Sequence, residues 1–108
     1  MGKLVMLESP YAGDVEKNLD YARECMKDCL MRGEYPLASH LLYTQNGILD
    51  DKNIVERELG INAGLAWGKF ADKTVVYADL GITDGMKIGM KNAFINKREI
   101  EIRTLWKD

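Results

Sequence analysis

The apolar residues of this chain follow two spacings, which predict strands and helices in turn. Short runs that are mostly apolar or alternating predict four strands, at Lys3–Leu7, Tyr35–Ala38, Thr74–Ala78 and Glu99–Thr104. Apolar residues that recur at steps of three and four predict three helices, at Val15–Arg32, Asn53–Phe70 and Asp84–Asn96. Strands and helices that alternate in this order are typical of a parallel sheet with right-handed crossovers.

The alternation predicts an α/β fold, a three-layer sandwich around a four-stranded parallel sheet of strand order 2-1-3-4, similar to Rossmann and flavodoxin folds. With 108 residues, the chain predicts one domain over residues 1–108. The last strand alternates charged residues with isoleucine, so we expect a half-exposed edge strand. At the first helix, Asp14 is the expected N-cap and Gly33 the stop. Asn18 is expected to face solvent or, in the alternative, to cover the crevice near the first turn of the helix.

The second predicted helix carries two different stripes. Its apolar positions predict a core face made of Val55, Leu59, Ala63, Ala66 and Phe70. Three glycines recur at every fourth position, Gly60, Gly64 and Gly68. Because glycine is unfavourable in a helix, this stripe predicts either a tight helix crossing or a subunit contact. With Leu65 and Trp67 beside it, we expect this face to join copies of the chain in a homo-oligomer.

Composition excludes several classes of function. The hydrophobic fraction of 46% and the charged fraction of 30% are those of a globular domain. A net charge of −2 lacks the basic excess of a nucleic-acid-binding protein. We find neither a signal peptide nor an apolar run long enough for a membrane span, so no membrane partner is expected.

Cysteine and histidine usage argues against a disulfide or a metal site. Cys25 and Cys29 lie four positions apart on one predicted helix, where disulfide geometry is poor. Reduced thiols fit a cytoplasmic protein. Together with His40 they supply three zinc ligands, whereas a structural zinc site needs four, so we expect neither a metal nor a cofactor.

Candidate site residues follow from the rule that ligands of open α/β sheets bind outside the carboxyl ends of the strands. The loops there supply Glu8, Ser9, Tyr11, His40, Tyr43, Gln45, Asp79, Thr83, Asp84 and Lys87. Glu8 and Asp79 are candidates for paired carboxylates or for acceptors of a ribose diol, and Tyr11 and Tyr43 for stacking on a base. In the alternative interpretation, Thr83 or Asp84 only caps the third helix and Lys87 is exposed.

Two segments resemble nucleoside 2-deoxyribosyltransferases. Gly85–Gly89, which reads Gly-Met-Lys-Ile-Gly, is similar to the Gly-Met-Glu-Leu-Gly segment of that family, and Val5–Tyr11 resembles its first strand and aromatic-bearing loop. More broadly, the chain resembles small bacterial and phage relatives of these enzymes. The resemblance implies a nucleoside pocket in which a tyrosine of the first loop supports the glutamate nucleophile. Here Lys87 occupies the nucleophile's position, and an ammonium cannot form a glycosyl ester.

Three functions stay open at this point. The leading expectation is non-catalytic binding, or sequestration, of a nucleotide or ribose-containing signalling metabolite, with Lys87 facing a phosphate, as in a phage anti-defence sponge. The second is an N-glycosidase or deoxyribosyltransferase that uses Glu8, Asp79 or Asp84 instead. The third is a structural oligomeric protein. The expected partners are therefore a small-molecule nucleotide or nucleoside and further copies of this chain.

Overall fold

A computed structural model describes residues 2–106, which contain one four-stranded parallel sheet. The strands are β1 (Leu4–Glu8), β2 (Tyr35–Leu37), β3 (Lys73–Tyr77) and β4 (Glu99–Arg103). The helices are α1 (Val15–Met31), α2 (Ser39–Leu42), α3 (Ile54–Gly68) and α4 (Asp84–Ile95). The order β2-β1-β3-β4, parallel throughout, confirms the predicted fold and strand order. Within residues 2–106, no helix combines the length and apolar character needed to cross a membrane.

The ends of the elements follow their local chemistry. The Asp14 side chain accepts the backbone N–H of Lys17 at 3.3 Å, which confirms the expected N-cap of α1. Gly33 follows that helix with φ at +82°, a conformation that favours glycine. Helix α2 was not expected, because four residues are too few to show a helical period.

Helix α1 covers one face of the sheet and buries the main apolar core. That core contains Val5, Leu7, Tyr21, Cys25, Cys29, Ala38, Val75 and Tyr77. Alternate residues of the two central strands point to the opposite face, where α3 and α4 lie. Both cysteines are free and buried, and burial raises the pKa of Cys25 to about 12, so its thiol stays protonated.

Helix α3 is turned the opposite way from the expectation. The positions predicted as its core face lie outside, with Val55 67%, Leu59 56% and Phe70 73% exposed. We call this line, Val55, Leu59, Ala63, Ala66 and Phe70, the outer stripe. The glycines face the chain itself: a Cβ at Gly64 would overlap the Ser39 side chain, and one at Gly68 would lie 3.3 Å from the Arg98 guanidinium. The predicted core face is therefore wrong. Of the two alternatives for the glycine stripe, these contacts support close packing within the chain rather than a subunit contact.

Strand β4 is an edge strand, as predicted, but its buried side is the charged one. The guanidinium of Arg103 is almost fully buried and donates to both Glu34 oxygens at 2.8 and 2.6 Å. It also donates to Glu101 at 2.7 Å and to the Tyr77 hydroxyl at 3.1 Å. Lys73 pairs with Glu101 at 2.7 Å and with Glu34 at 3.3 Å. These contacts tie the segment before β2 to β3 and β4.

Acid should weaken this network, and Glu34→Gln tests it. Hydrogen bonds from Arg103 lower the pKa of Glu34 to about 2. A lowered pKa means that the carboxylate stabilises the fold above its unfolded value of about 4.5 and loses that contribution as the pH falls toward 2. Removing one partner of a buried ion pair costs about 3 kcal/mol near neutral pH. Urea denaturation should show that cost, together with a shallower acid dependence in the variant.

The matched control is Glu24→Gln, which changes an exposed glutamate of α1. It should leave stability within about 0.5 kcal/mol of the wild type at every pH. Equal stability of Glu34→Gln and Glu24→Gln near neutral pH would contradict the structural role of the network.

Candidate functional site

A cavity of about 410 Å³ lies between the sheet, α3 and α4, at the carboxyl end of β1. On the α3 side the cavity is lined by Glu56, Arg57, Gly60, Ile61, Gly64, Leu65 and Gly68. Three of these seven residues have no side chain, which leaves space between the helix and the sheet. A volume of this size is typical of sites for small organic ligands.

The carboxyl of Glu8 lies in this cavity without a protein partner. It rests against Gly89 of α4, where an added Cβ would overlap the carboxyl group. Within residues 2–106 it makes no hydrogen bond or salt bridge. The guanidinium of Arg98, whose charge acts on Glu8, donates at 2.9 Å each to Thr74 Oγ1, Gly68 O and Asn92 Oδ1.

Burial raises the pKa of Glu8 to about 8, although the charge of Arg98 opposes the shift. At neutral pH the carboxyl is therefore largely protonated. It then offers one O–H donor and one carbonyl acceptor to whatever enters the cavity.

A second polar pair lines the cavity next to Glu8. Ser9 Oγ and His40 Nε2 lie 2.7 Å apart, and burial lowers the pKa of His40 to about 4, so the imidazole is neutral at pH 7. The hydrogen bonds described for residues 2–106 include no carboxylate on the other ring nitrogen. The pair therefore lacks the third group of a nucleophilic triad and joins the β1 loop to α2.

Two tyrosines, the candidates for stacking on a base, are among the residues that line the cavity. Tyr11 belongs to the loop after β1, which Asn18 holds by donating at 3.0 Å to the carbonyls of Tyr11 and Ala12. Asn18 is buried, so its expected solvent-facing position is wrong. Tyr43 accepts a hydrogen bond from the indole N–H of Trp67 at 2.9 Å, which leaves Trp67 on the surface.

The start of α4 both caps the helix and lines the cavity. Thr83 Oγ1 accepts the Met86 N–H at 3.3 Å, and both Thr83 and Asp84 border the cavity. Lys87 lies outside the lining, with its side chain 66% exposed and Nζ 3.9 Å from an Asp84 oxygen. Met86 and Gly89 face inward, so the helical turn directs Lys87 away from the cavity.

Asp79 and Gln45 also lie away from the cavity. Asp79 accepts hydrogen bonds from the Tyr21 hydroxyl at 2.6 Å and from the N–H groups of Leu105 and Trp106 at 2.8 and 2.9 Å. It thus lies on the α1 side of the sheet, whereas Glu8 lies on the α4 side. The predicted pairing of the two carboxylates is therefore wrong. The Gln45 amide donates to the carbonyl of Leu42 at 3.0 Å.

Two arginines of the cavity were missed by the sequence analysis. Arg98 lies between α4 and β4 and gives no periodic signal. Arg57 lines the cavity near Gly85, with its Nε 3.8 Å from the Asp51 carboxylate. Its position three residues before Gly60 and seven before Gly64 places it on the glycine face, and that spacing was available in the sequence. The part of the chain that the structure covers holds no cluster of three or more His, Cys, Asp or Glu side chains suited to a metal.

Comparisons with known proteins agree with this architecture. The structure is similar to that of a 2-deoxyribosyltransferase from the psychrotolerant bacterium Bacillus psychrosaccharolyticus. The TM-score is 0.63 at 16% identity, over 97% of this chain and 74% of that one, which supports the fold. A family model described as a domain of unknown function, DUF7768, matches residues 3–105. No match was found among curated proteins.

The protonation of Glu8 can be tested through stability. A carboxyl with a raised pKa opposes folding increasingly as the pH rises from about 4.5 toward 8, because the buried site disfavours the charged form. Glu8→Gln removes that ionisation and should stabilise the protein at about pH 8.5 by on the order of 1–3 kcal/mol. Denaturation from about pH 5 to 9 measures this, with Glu24→Gln as control. Parallel pH profiles for wild type and Glu8→Gln would show that Glu8 is ionised normally.

Proposed function

We propose that this chain, which belongs to the family of the domain of unknown function DUF7768, binds a nucleoside or a related ribose-containing small molecule in the cavity. The observation that carries the proposal is the unpartnered Glu8 carboxyl inside a cavity of about 410 Å³. The fold similarity to an enzyme described as a biocatalyst for nucleoside synthesis supports it.

The chemistry of the lining suits such a ligand. A protonated carboxyl at Glu8 donates to a ring nitrogen or sugar oxygen and accepts from an amine or hydroxyl beside it. The aromatic rings of Tyr11 and Tyr43 offer faces for a planar base. His40, Ser9, Thr83 and Asp84 complete the polar part of the lining around an apolar wall. Few polar groups in a mainly apolar cavity are typical of small-molecule sites.

Binding without turnover is the primary form of the proposal. The resemblance described above assigns the family's nucleophile position to Lys87, whose ammonium cannot form the glycosyl ester that transfer requires, and the Lys87 side chain lies outside the cavity. A protein that binds a nucleotide or nucleoside and leaves it intact would act as a sponge. Phage origin and sequestration of a signalling nucleotide belong to this proposal.

Cleavage of an N-glycosidic bond is the second candidate, and Glu8 favours it. A neutral carboxyl beside a bound nucleoside can protonate the base nitrogen while the bond from that nitrogen to the sugar carbon breaks. Water then adds its oxygen to the sugar carbon and returns a proton to the Glu8 carboxylate. Free base and free sugar are the products, and no other reactant is consumed.

One experiment separates binding from cleavage. Calorimetric titration with a panel of nucleosides and their 5′-monophosphates should find a ligand of the wild type. We expect Glu8→Gln to bind that ligand about tenfold more weakly, because the substitution alters the hydrogen bonds between the Glu8 carboxyl and the ligand. The ligand should be recovered intact from heat-denatured protein after long incubation. Chromatographic appearance of free base that stops in Glu8→Gln would instead support the glycosidase.

The control for both readouts is Glu24→Gln, which should bind and react as the wild type does. Absence of any binding or thermal stabilisation across the panel would contradict both candidates and favour the structural alternative, since a ligand of the native state raises the melting temperature.

The position of a phosphate is tested by a pair of lysine and arginine variants. Lys87→Ala should leave all affinities within about twofold, because its side chain lies outside the cavity. Arg57→Ala should weaken a 5′-monophosphate about tenfold more than the matching nucleoside, because a charge-assisted hydrogen bond is lost. A selective loss of monophosphate binding in Lys87→Ala would restore the lysine to the site and contradict this assignment.

A further inference from the structure

The outer stripe of α3 is an apolar helix face with no partner in the chain. Val55, Leu59, Ala63 and Ala66 recur at steps of three and four along α3, as in a helix that packs on another helix, and Phe70 continues the spacing in the turn after Gly68. Val55, Leu59 and Phe70 are each more than half exposed. A continuous apolar stripe facing solvent is unusual for a monomer and typical of an interaction surface.

The opposite face of α3 cannot exchange roles with the outer stripe. Gly60, Gly64 and Gly68 face the cavity, and a side chain at Gly64 would overlap Ser39. Rotating the helix to bury the outer stripe would drive Leu59 and Phe70 into that space. The stripe is thus held outside by the packing of α3 against α2 and α4.

Charges along one flank of the stripe indicate what covers it. Glu58 and Lys69 are exposed, lie eleven residues apart and therefore occupy the same flank about three turns apart. Neither forms a salt bridge within residues 2–106. In an antiparallel two-fold pair the same flanks of the two helices lie side by side, so each Glu58 meets the other copy's Lys69. In a parallel two-fold pair these flanks lie on opposite sides of the contact, and the two charges would not meet.

We propose that a second copy of this chain docks on the outer stripe, with the two α3 helices antiparallel about a two-fold axis near Ala63. In that arrangement, Leu59 of each copy enters the space between Ala66 and Phe70 of the other. The small side chains of Ala63 and Ala66 allow the helices to approach closely. A two-fold axis uses the same surface on both copies, so the contact closes at a dimer.

The dimer also bears on the cavity, since α3 forms its roof. A second copy packed on the outer stripe would fix the position of α3, and with it the positions of Gly60 and Gly64 over the cavity. The inference does not depend on which ligand the cavity takes.

Sedimentation velocity on the whole protein in the micromolar range tests the proposal. We expect a dimer for the wild type and an association at least about tenfold weaker for Leu59→Lys, which buries a charge in the contact. Circular dichroism should be unchanged, because Leu59 is exposed in one copy. The control Met31→Lys alters an apolar residue on α1 that is 79% exposed, against 56% for Leu59, and should remain dimeric. A monomeric wild type, or a dimeric Leu59→Lys, would overturn the proposal.

A charge exchange tests the orientation and the identity of the partner. Glu58→Lys and Lys69→Glu should each weaken association several-fold by placing like charges together. The double variant should regain wild-type association, because the opposite charges are restored in exchanged positions. Failure of the double variant to exceed either single variant would exclude the antiparallel self-pairing.

Discussion

The gap between α3 and the sheet is the constraint on which the rest of this molecule depends. Three glycines on the inner face of α3 add no side chains there, so Arg57, Ile61 and Leu65 line the space over the sheet without filling it. The same arrangement turns the apolar residues of α3 outward. The cavity on the inner side of α3 and the apolar surface on its outer side thus both follow from the placement of glycines and apolar residues on opposite faces of this helix.

The cavity in turn determines the chemistry of Glu8. A carboxyl at the end of a central strand normally meets water or a cation. Here the absence of a side chain at Gly89 lets the carboxyl lie against α4. The Arg98 guanidinium donates its hydrogen bonds to Thr74, Gly68 and Asn92. The carboxyl therefore has a raised pKa and two oxygen atoms without hydrogen-bond partners in the protein. Buried polar groups of a structural core are normally hydrogen-bonded within the protein, so this difference indicates a ligand site.

Local signals were enough for the strands and the long helices, because hydrophobic period and alternation carry that information. The succession of strand and helix was enough for the parallel sheet. These local signals did not show which face of a helix or of the sheet a side chain lies on. The apolar face of α3 reads as core whether its partner is the same chain or another one. Asp79 and Glu8 both follow strands, yet Asp79 lies on the side of Tyr77 and Glu8 on the side of Met6. The same holds for Lys87 on α4, because Met86 lines the cavity and Lys87, the next residue, faces solvent.

The buried position of Arg103 has a consequence for synthesis. A ribosome delivers the chain from its N-terminus, so β1, α1 and Glu34 emerge well before the guanidinium that neutralises Glu34. Strand pairing between distant parts of a chain is slow because the long intervening loop must close first. Until β4 emerges, the nascent chain therefore exposes an incomplete parallel sheet with one unpaired edge at β3.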